Sequence, residues 1–263
     1  MSVKIKEVLS ALEQFAPLPL QEEWDNAGLQ VGLTETEASG ALLCLDVTPA
    51  IVEEAQRKGC NLIVSHHPLI FHALKQVADA NDTQRSVRMA IESGIAIASM
   101  HTNMDEARGG VNFKMAEKLG LTGVDFFCRK QVGETEGGAG VIGSLTKPLD
   151  ARAFIYKVKE AFQAETAACN ALLDRPIQRV AICGGAGDFL VDNAIREGAD
   201  AFITGEMHYH VYFGREQQIQ LCVIGHYESE HFTAEIFRDI IARHFPQLPT
   251  HIAETNTNPI RWL

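Results

Sequence analysis

The sequence lacks the features that would place the chain in a membrane or send it out of the cell. No stretch of its 263 residues approaches the ~18 consecutive apolar residues of a membrane-spanning helix. Its N-terminal segment, MSVKIKEVLSALEQFAP, alternates charged with apolar residues and has no uninterrupted apolar core of a signal peptide. We therefore expect a soluble cytoplasmic protein with no membrane partner.

Two further absences concern cysteine spacing and positive charge. The six cysteines never show the C-x-x-C spacing of metal and redox motifs, so we expect reduced core residues. No segment is dense in Lys or Arg, and the formal net charge is -11 at pH 7, which argues against nucleic acid as a partner. The hydrophobic content of 46% is sufficient for a packed core.

The chain alternates short apolar runs with helical segments, a pattern typical of α/β proteins. The run ALLCLDV (41–47) is too short for a helix and suits a buried strand, and CNLIVS (60–65) suits another. Between them, Thr48 and Pro49 offer an N-cap and a first helical residue, and Gly59 can close that helix. The order strand, helix, strand predicts a parallel sheet with covering helices.

Residues 180–210 repeat this order at a constant offset. Leu43 and Gly59 each have a counterpart 139 positions later, and the strand before His101 resembles the strand before His226. We interpret the offset as an internal duplication. The predicted fold class is therefore α/β, with two similar interlocked halves, each a mostly parallel or mixed sheet with covering helices.

The two halves are expected to divide the chain unevenly. Residues 1–125 together with about 223–263 form the first half, which carries the metal site, and about 126–222 form the second. The Gly-rich stretch GETEGGAGVIG (133–143) is the candidate boundary segment. A β-hairpin or surface loop inside one domain explains its composition equally well.

Candidate metal ligands follow the predicted strand ends, where α/β sheets bind ligands. His66 and His67 end one strand, and consecutive residues of an extended strand point to opposite sides, which suits two ions ~3.5–4 Å apart. His226 and Glu230 stand four residues apart at a helix start, so they share one face and can ligate a common ion. Asp105 follows another strand end as an oxygen ligand, unless it caps the next helix.

Other polar residues have less defined roles. His101 is a candidate general acid or base, or a group that orients a ligand, and His210 of GEMHYH is a second candidate proton carrier. Glu206 and His208 of the same segment could face the same cleft. The segment WDNAGLQVG (24–32) fits a turn or the wall of a binding site. Because no thiol lies in these clusters, they favour two divalent ions such as Fe, Mn or Zn over a cysteine-bound zinc.

Together these motifs resemble a known family, the Nif-three-like dinuclear-metal proteins, which are GTP cyclohydrolase I type 2 homologues. WDNAGLQVG, SHHPLIF, HTNMD, GEMHYH and GHYESE match its motifs in order over nearly the whole chain. The resemblance implies a toroidal homohexamer and a two-metal site with Glu230 as the bridging ligand. By motif position the ligands would be His66, His67, Asp105, His226 and Glu230. Some members carry an extra domain between the halves, for which the 139-residue offset leaves no room.

The resemblance also implies a metal-dependent hydrolase of the GTP cyclohydrolase I type 2 kind, in which water attacks C8 of guanine, opens the ring and releases formate. His101 or His210 would carry the proton. Two carboxylates leave two divalent ions with surplus positive charge, so we expect a small, anionic, nucleotide-like substrate. Two alternatives stay open: a two-metal phosphoesterase or other hydrolase, and a non-enzymatic metal-binding regulatory protein.

Overall fold

A computed structural model describes residues 2–262 and has the expected α/β architecture. By its internal contacts the chain divides into two compact units, each assembled from two segments. Unit 1 comprises the chain up to Met104 together with His231–Pro259, and unit 2 comprises Asp105–Glu230 with the residues from Ile260 onward. The predicted division into residues 1–125 with about 223–263, and about 126–222, stays a prediction.

Unit 1 is built around a five-stranded sheet. Its strands are β1 (Gly28–Val31), β2 (Ala41–Cys44), β3 (Leu62–Ser65), β4 (Ala96–Ser99) and β11 (Thr250–Ile252); its helices are α1 (Ile5–Phe15), α2 (Pro49–Arg57), α3 (Asp82–Glu92) and α9 (Thr233–His244), with a 3₁₀ turn at Leu18–Leu20. The strand order is β1-β4-β3-β2-β11. Only β1 runs antiparallel to its neighbour, β4. Helix α4 (Thr102–Glu106) contains the division between the units.

The segment after β2 forms its helix for the predicted reasons. The Thr48 side chain accepts a hydrogen bond from the Ile51 backbone N–H, and Pro49 is the first helical residue. Gly59 follows the helix end with φ +69°, a conformation that favours glycine. Ile51 then packs in a buried cluster with Leu42 and other apolar side chains of the sheet. The predicted strand, helix, strand order is confirmed for this segment.

Unit 2 is built around a six-stranded sheet. Its strands are β5 (Thr122–Val132), β6 (Thr135–Leu149), β7 (Ala168–Cys169), β8 (Ile177–Cys183), β9 (Ala201–Thr204) and β10 (Gln220–Val223); its helices are α5 (Val111–Leu119), α6 (Ala151–Phe162), α7 (Val191–Arg196) and α8 (His226–Glu230), with 3₁₀ turns at Asp188–Leu190 and Tyr209–Tyr212. The strand order is β5-β6-β8-β9-β10-β7. Strands β8, β9 and β10 are parallel, and the other neighbouring pairs are antiparallel.

The parallel strands of the two sheets share one register. Leu43 pairs with Val64 in unit 1, and Ile182 pairs with Ile203 in unit 2, so both partners are displaced by the same 139 positions. A common register is what a duplicated strand, helix, strand segment would retain. The pairing supports the duplication, which stays a prediction.

The Gly-rich stretch at residues 133–143 is part of a β-hairpin. It forms the turn after β5 and the first part of β6, which pairs with β5 on one side and β8 on the other. Of the two interpretations of this composition, the hairpin is therefore the one found in the structure. The stretch lies inside unit 2 and not at the division between the units.

The cysteines are all free thiols, but the expectation that all are core residues is wrong. Four are buried, Cys128 is half-buried and Cys169 is exposed. Cys169 lies on β7, a two-residue strand at the sheet edge, where few neighbours can cover it. Among residues 2–262, no helix is long and apolar enough to cross a membrane.

Asp200, which directly precedes β9, connects this strand to β8 through hydrogen bonds. Its carboxylate accepts hydrogen bonds from the backbone N–H groups of Gln178 and Arg179 at 2.9 and 2.8 Å, and it pairs with the Arg175 guanidinium. Burial raises the pKa of Asp200, but these hydrogen bonds and the positive charge of Arg175 outweigh burial and hold the pKa below its ordinary value.

We expect Asp200→Asn to lower the free energy of unfolding by about 1–2 kcal/mol at neutral pH. Because the pKa of Asp200 is lower in the folded than in the unfolded chain, its contribution is complete above about pH 4 and is lost as the pH falls through the folded pKa. In urea denaturation, the difference between wild type and variant should therefore shrink below about pH 4. Two results would contradict the stabilising role of Asp200. One is a difference between wild type and variant that is the same at neutral pH as below about pH 4, and the other is an equal difference for the exposed Asp174→Asn.

Candidate metal centre

Three imidazole rings of unit 1 form a cluster beside the carboxyl ends of β3 and β4. His66 and His67 follow β3, His101 follows β4, and their ring centroids lie 5.0 to 5.4 Å apart. One nitrogen of each ring lies within 4.8 Å of the others, so the cluster could hold a metal ion. The predicted opposite directions of His66 and His67 are wrong, because β3 ends at Ser65 and the chain bends at both histidines.

The two consecutive histidines are each held at Nδ1. His66 Nδ1 lies 2.8 Å from the Met100 carbonyl oxygen, and His67 Nδ1 lies 2.7 Å from the Asp46 carboxylate. The other oxygen of Asp46 accepts a hydrogen bond from the Thr257 hydroxyl at 2.7 Å. Burial raises the pKa of Asp46, but its hydrogen bonds with His67 and Thr257 lower the pKa below the ordinary value.

The third ring is held in the same way. His101 Nδ1 lies 2.7 Å from an oxygen of the Asp25 carboxylate, and the second oxygen accepts hydrogen bonds from the Thr102 backbone N–H, at 3.0 Å, and the Thr102 hydroxyl. Burial raises the pKa of Asp25, but the hydrogen bonds from His101 and Thr102 outweigh it and bring the pKa to about 2. Asp25 is therefore a carboxylate that fixes the orientation of His101.

An acceptor at Nδ1 favours the imidazole tautomer that carries its proton there. Nε2 then has the lone pair and can bind a metal ion or take up a proton. Imidazole nitrogen is a donor that suits Fe and Zn. The cluster in unit 1 therefore fits two of the divalent ions expected from the sequence.

Unit 2 brings His226 and Glu230 together at the start of α8. His226 Nε2 lies 2.9 Å from a carboxylate oxygen of Glu230, and Nδ1 lies 3.1 Å from Glu206. The helix begins at His226 as the spacing predicted, but it ends at Glu230 and α9 begins separately at Thr233. Glu230 is 3% exposed, so its carboxylate is fixed among protein atoms.

Two glycines allow loops of unit 2 to approach α8 closely. A Cβ at Gly185, whose φ is +57°, would lie 2.4 Å from Glu230 Oε1. A Cβ at Gly205 would lie 2.6 Å from Ser229 Oγ and 2.9 Å from the His226 Cα. The Ser229 hydroxyl in turn accepts from the Gly185 N–H at 3.0 Å and donates to the His226 carbonyl at 2.8 Å. A side chain at either glycine would therefore collide with a residue of α8.

Asp105 and His210 complete the predicted residues of unit 2. The Asp105 carbonyl accepts a hydrogen bond from Asn112 Nδ2 at 3.0 Å, and Gly110, not Asp105, is the N-cap of α5. The exposed ring of His210 contacts two aromatic neighbours at centroid distances of 5.3 and 6.0 Å. The capping alternative for Asp105 is thus wrong, while its role as a ligand and that of His210 as a proton carrier stay predictions.

A cleft of about 570 Å³ lies within unit 2. Glu206, His208 and His226 all line it, so two polar residues of GEMHYH, Glu206 and His208, share a cleft with the candidate ligand His226. His208 also pairs with Asp188, at 2.5 Å between Nδ1 and a carboxylate oxygen. The structure therefore gives Glu206 a role that the sequence left open, as the hydrogen-bond partner of His226.

Comparison with known proteins connects this architecture to one family. The family model of DUF34/NIF3 (NGG1p interacting factor 3) matches residues 3–259. The chain belongs to the DUF34/NIF3 family. A relative from Lactococcus lactis is 34% identical over 212 residues, 80% of each chain, and one from Clostridium perfringens is 32% identical over 229 residues, 87% of each chain. Both are named GTP cyclohydrolase 1 type 2 homolog.

Solved structures agree with membership in DUF34/NIF3. The Staphylococcus aureus hypothetical protein SA1388 superposes with a TM-score of 0.91 at 25% identity over the whole of both chains. A Bacillus cereus protein related to NIF3 superposes with a TM-score of 0.90 at 22% identity, also over both whole chains. The family resemblance of the sequence motifs is thus confirmed, and the α/β fold is that of the family.

Two carboxylates that hold the histidines of this DUF34/NIF3 chain were missed by sequence reasoning. Asp25 lies in WDNAGLQVG, and Asp46 lies near the end of the apolar run ALLCLDV. An acidic residue within an apolar run is unusual, because a carboxylate that is buried with the run needs a partner. That signal could have identified Asp46, whereas Asp25 has no comparable pattern around it.

Proposed function

We propose that this chain is a two-metal hydrolase that opens the five-membered ring of guanine in GTP and releases formate. The observation that carries the proposal is the pair of consecutive imidazoles, His66 and His67, each with an acceptor at Nδ1, in a cluster that could hold a metal ion. The names of the L. lactis and C. perfringens relatives point to the same substrate.

Five side chains would hold the ions in this proposal. By motif position they are His66, His67, Asp105, His226 and Glu230, with Glu230 as the bridging ligand. Three imidazoles and two carboxylates suit Fe, Mn or Zn, and they leave two divalent ions with surplus positive charge that favours an anionic nucleotide. When bound, the ions would polarise the reacting groups and lower the pKa of water toward ~7.

His101 is the proton carrier in this proposal. Asp25 holds its Nδ1, so Nε2 can take a proton as water adds at C8 and return one to nitrogen as the C8–N9 bond breaks. This hydrolysis leaves a formamide, and a second water releases formate and a free amine. His210 stays the other predicted carrier.

Formate release tests the proposal. The protein is loaded with Mn²⁺, Fe²⁺ or Zn²⁺ and incubated with GTP, and formate and phosphate are both measured. We expect formate from the wild type and at least about 100-fold less from Glu230→Ala, because a bridging carboxylate positions both ions. The exposed Glu216→Gln in the same unit should behave as the wild type.

Three results would count against the proposal. Formate in equal amounts from wild type and Glu230→Ala would place the reaction elsewhere. Phosphate without formate would indicate a phosphoesterase. If no metal-loaded form releases formate or phosphate, the hydrolase proposal is refuted and a metal-binding regulatory protein is favoured. The implied homohexamer is measured by light scattering on the same samples, where a mass other than six times 28.9 kDa would contradict it.

A further inference from the structure

An exposed aromatic pair stands beside His101 in unit 1. Trp24 is 60% exposed and Phe71 is 42% exposed, and their ring centroids lie 5.9 Å apart. The His101 ring lies 5.9 Å from Trp24 and 6.4 Å from Phe71. Large aromatic side chains that stay in water next to a candidate site indicate a ligand that would cover them.

Hydrogen bonds hold the loop of Trp24 against the loop of Phe71. Asn26 Nδ2 donates to the Ile70 carbonyl at 2.7 Å, and the Ile70 N–H donates to Gln30 Oε1 at 3.2 Å. Gln30 Nε2 also donates to the Asn26 carbonyl at 2.6 Å. The backbones that carry the two aromatic rings are therefore tied together before any ligand arrives, which reduces the entropy lost on binding.

The same segment also orients His101. Asp25 lies between Trp24 and Asn26 in the sequence, and its carboxylate oxygen lies 2.7 Å from the Nδ1 of His101. Three consecutive residues thus supply an aromatic face, the partner of the imidazole and the contact to the Phe71 loop. A turn without a binding role would require none of the three.

We propose that Trp24 and Phe71 form a stacking wall for the aromatic heterocycle of the nucleotide substrate. The inference rests on the proposed function, since it names the part of the substrate that this side of the site holds. Every purine base has a π-face, so indole and phenyl rings bind it through stacking without a specific hydrogen bond. The wall lies beside His101, where a proton must reach the heterocycle.

Tryptophan fluorescence tests the wall directly. The chain has two tryptophans, so Trp262→Phe leaves Trp24 as the only indole emitter. We expect guanosine monophosphate to quench this emission saturably in metal-free protein, because stacking needs no ion. Ribose 5-phosphate, which has the sugar and phosphate but no base, should leave the emission unchanged.

Calorimetry with matched variants tests the contribution of the ring. Trp24→Leu should weaken guanosine monophosphate binding at least about fivefold, whereas Trp24→Phe, which keeps an aromatic face, should stay within about twofold of wild type. Phe189→Leu, which removes a 67% exposed ring from unit 2, should leave the affinity unchanged. Thermal denaturation checks each variant, and Phe71→Leu replaces Trp24→Leu if the latter does not fold.

Several outcomes would overturn the wall. They are no saturable quenching, equal binding by Trp24→Leu and wild type, equal binding of ribose 5-phosphate, or an indole shielded from acrylamide because a second copy covers it. Failure of the wall and failure of the reaction are distinguishable. If wild type releases formate but Trp24→Leu binds guanosine monophosphate with unchanged affinity, the wall is refuted and the hydrolase proposal stands. If guanosine monophosphate quenches Trp24 but no formate is released, the wall stands and the hydrolase proposal is refuted.

Discussion

Gly185→Ala should strongly weaken metal binding while unit 2 remains folded. The new Cβ would lie 2.4 Å from Glu230 Oε1, so the carboxylate must leave its position. Because Glu230 is 3% exposed, the displaced carboxylate has no open water beside it to move into. We expect metal affinity to fall at least about 100-fold, because a proposed bridging ligand is displaced. The free energy of unfolding should fall by about 1–3 kcal/mol, since a crowded contact adds to the strain of alanine at φ +57°.

Gly198→Ala is the matched control for this variant. Gly198 lies in the same unit at φ +72°, but a Cβ there would meet no atom within 4 Å. It therefore carries the backbone strain without the contact, and we expect a loss of about 1 kcal/mol with full metal content. Bound metal after dialysis and urea denaturation are measured for both. Full metal content in Gly185→Ala would contradict this prediction.

The histidines of unit 1 were predictable because local pattern decides their positions. His66 and His67 follow a run of four buried strand residues, and parallel strands end at the same sheet edge, so His101 after β4 comes close to them. The directions of the rings were not predictable. They depend on where β3 ends, and the extended backbone assumed for both residues gives way to a bend.

The acceptors that hold the rings could not be read from local pattern. Asp25 is 76 positions from His101, and Asp46 is 21 positions from His67. Such partners are chosen by the register of strands and the course of loops, which periodicity does not specify. Tertiary packing also explains why unit 2 has no histidine pair at the positions that correspond to His66 and His67. At Gly205, the repeat counterpart of His66, any side chain would collide with atoms of α8 and with the Gly185 carbonyl oxygen.

The Gly-rich stretch at residues 133–143 had two equal interpretations because composition does not distinguish a flexible linker from a crowded strand. Glycine is favoured in linkers for its freedom and in sheets where another chain segment approaches closely. The structure has the second case in β6. A Cβ at Gly138 would lie 2.4 Å from the Cys128 carbonyl oxygen. Glycine there leaves room for the neighbouring strand.

Among the substitutions considered, we expect Gly140→Ala to cause the largest loss in the free energy of unfolding. Gly140 has φ +69°, and a Cβ there would lie 2.4 Å from Phe127 Cε1 and 2.9 Å from the Ile182 carbonyl oxygen. Phe127 belongs to the buried cluster of unit 2 and Ile182 to β8, so neither neighbour can withdraw without opening the sheet or the core. We expect the free energy of unfolding to fall by about 3 kcal/mol or more, measured by urea denaturation.

Gly133→Ala separates the contact from the backbone conformation. Gly133 lies in the turn between β5 and β6 at φ +59°, and a Cβ there would meet no atom within 4 Å. This variant should lose only about 1 kcal/mol, the cost of alanine in the left-handed region. Equal losses at positions 133 and 140 would mean that only backbone freedom selects these glycines. A larger loss at 140 would mean that the approach of β5 and β8 excludes a side chain there.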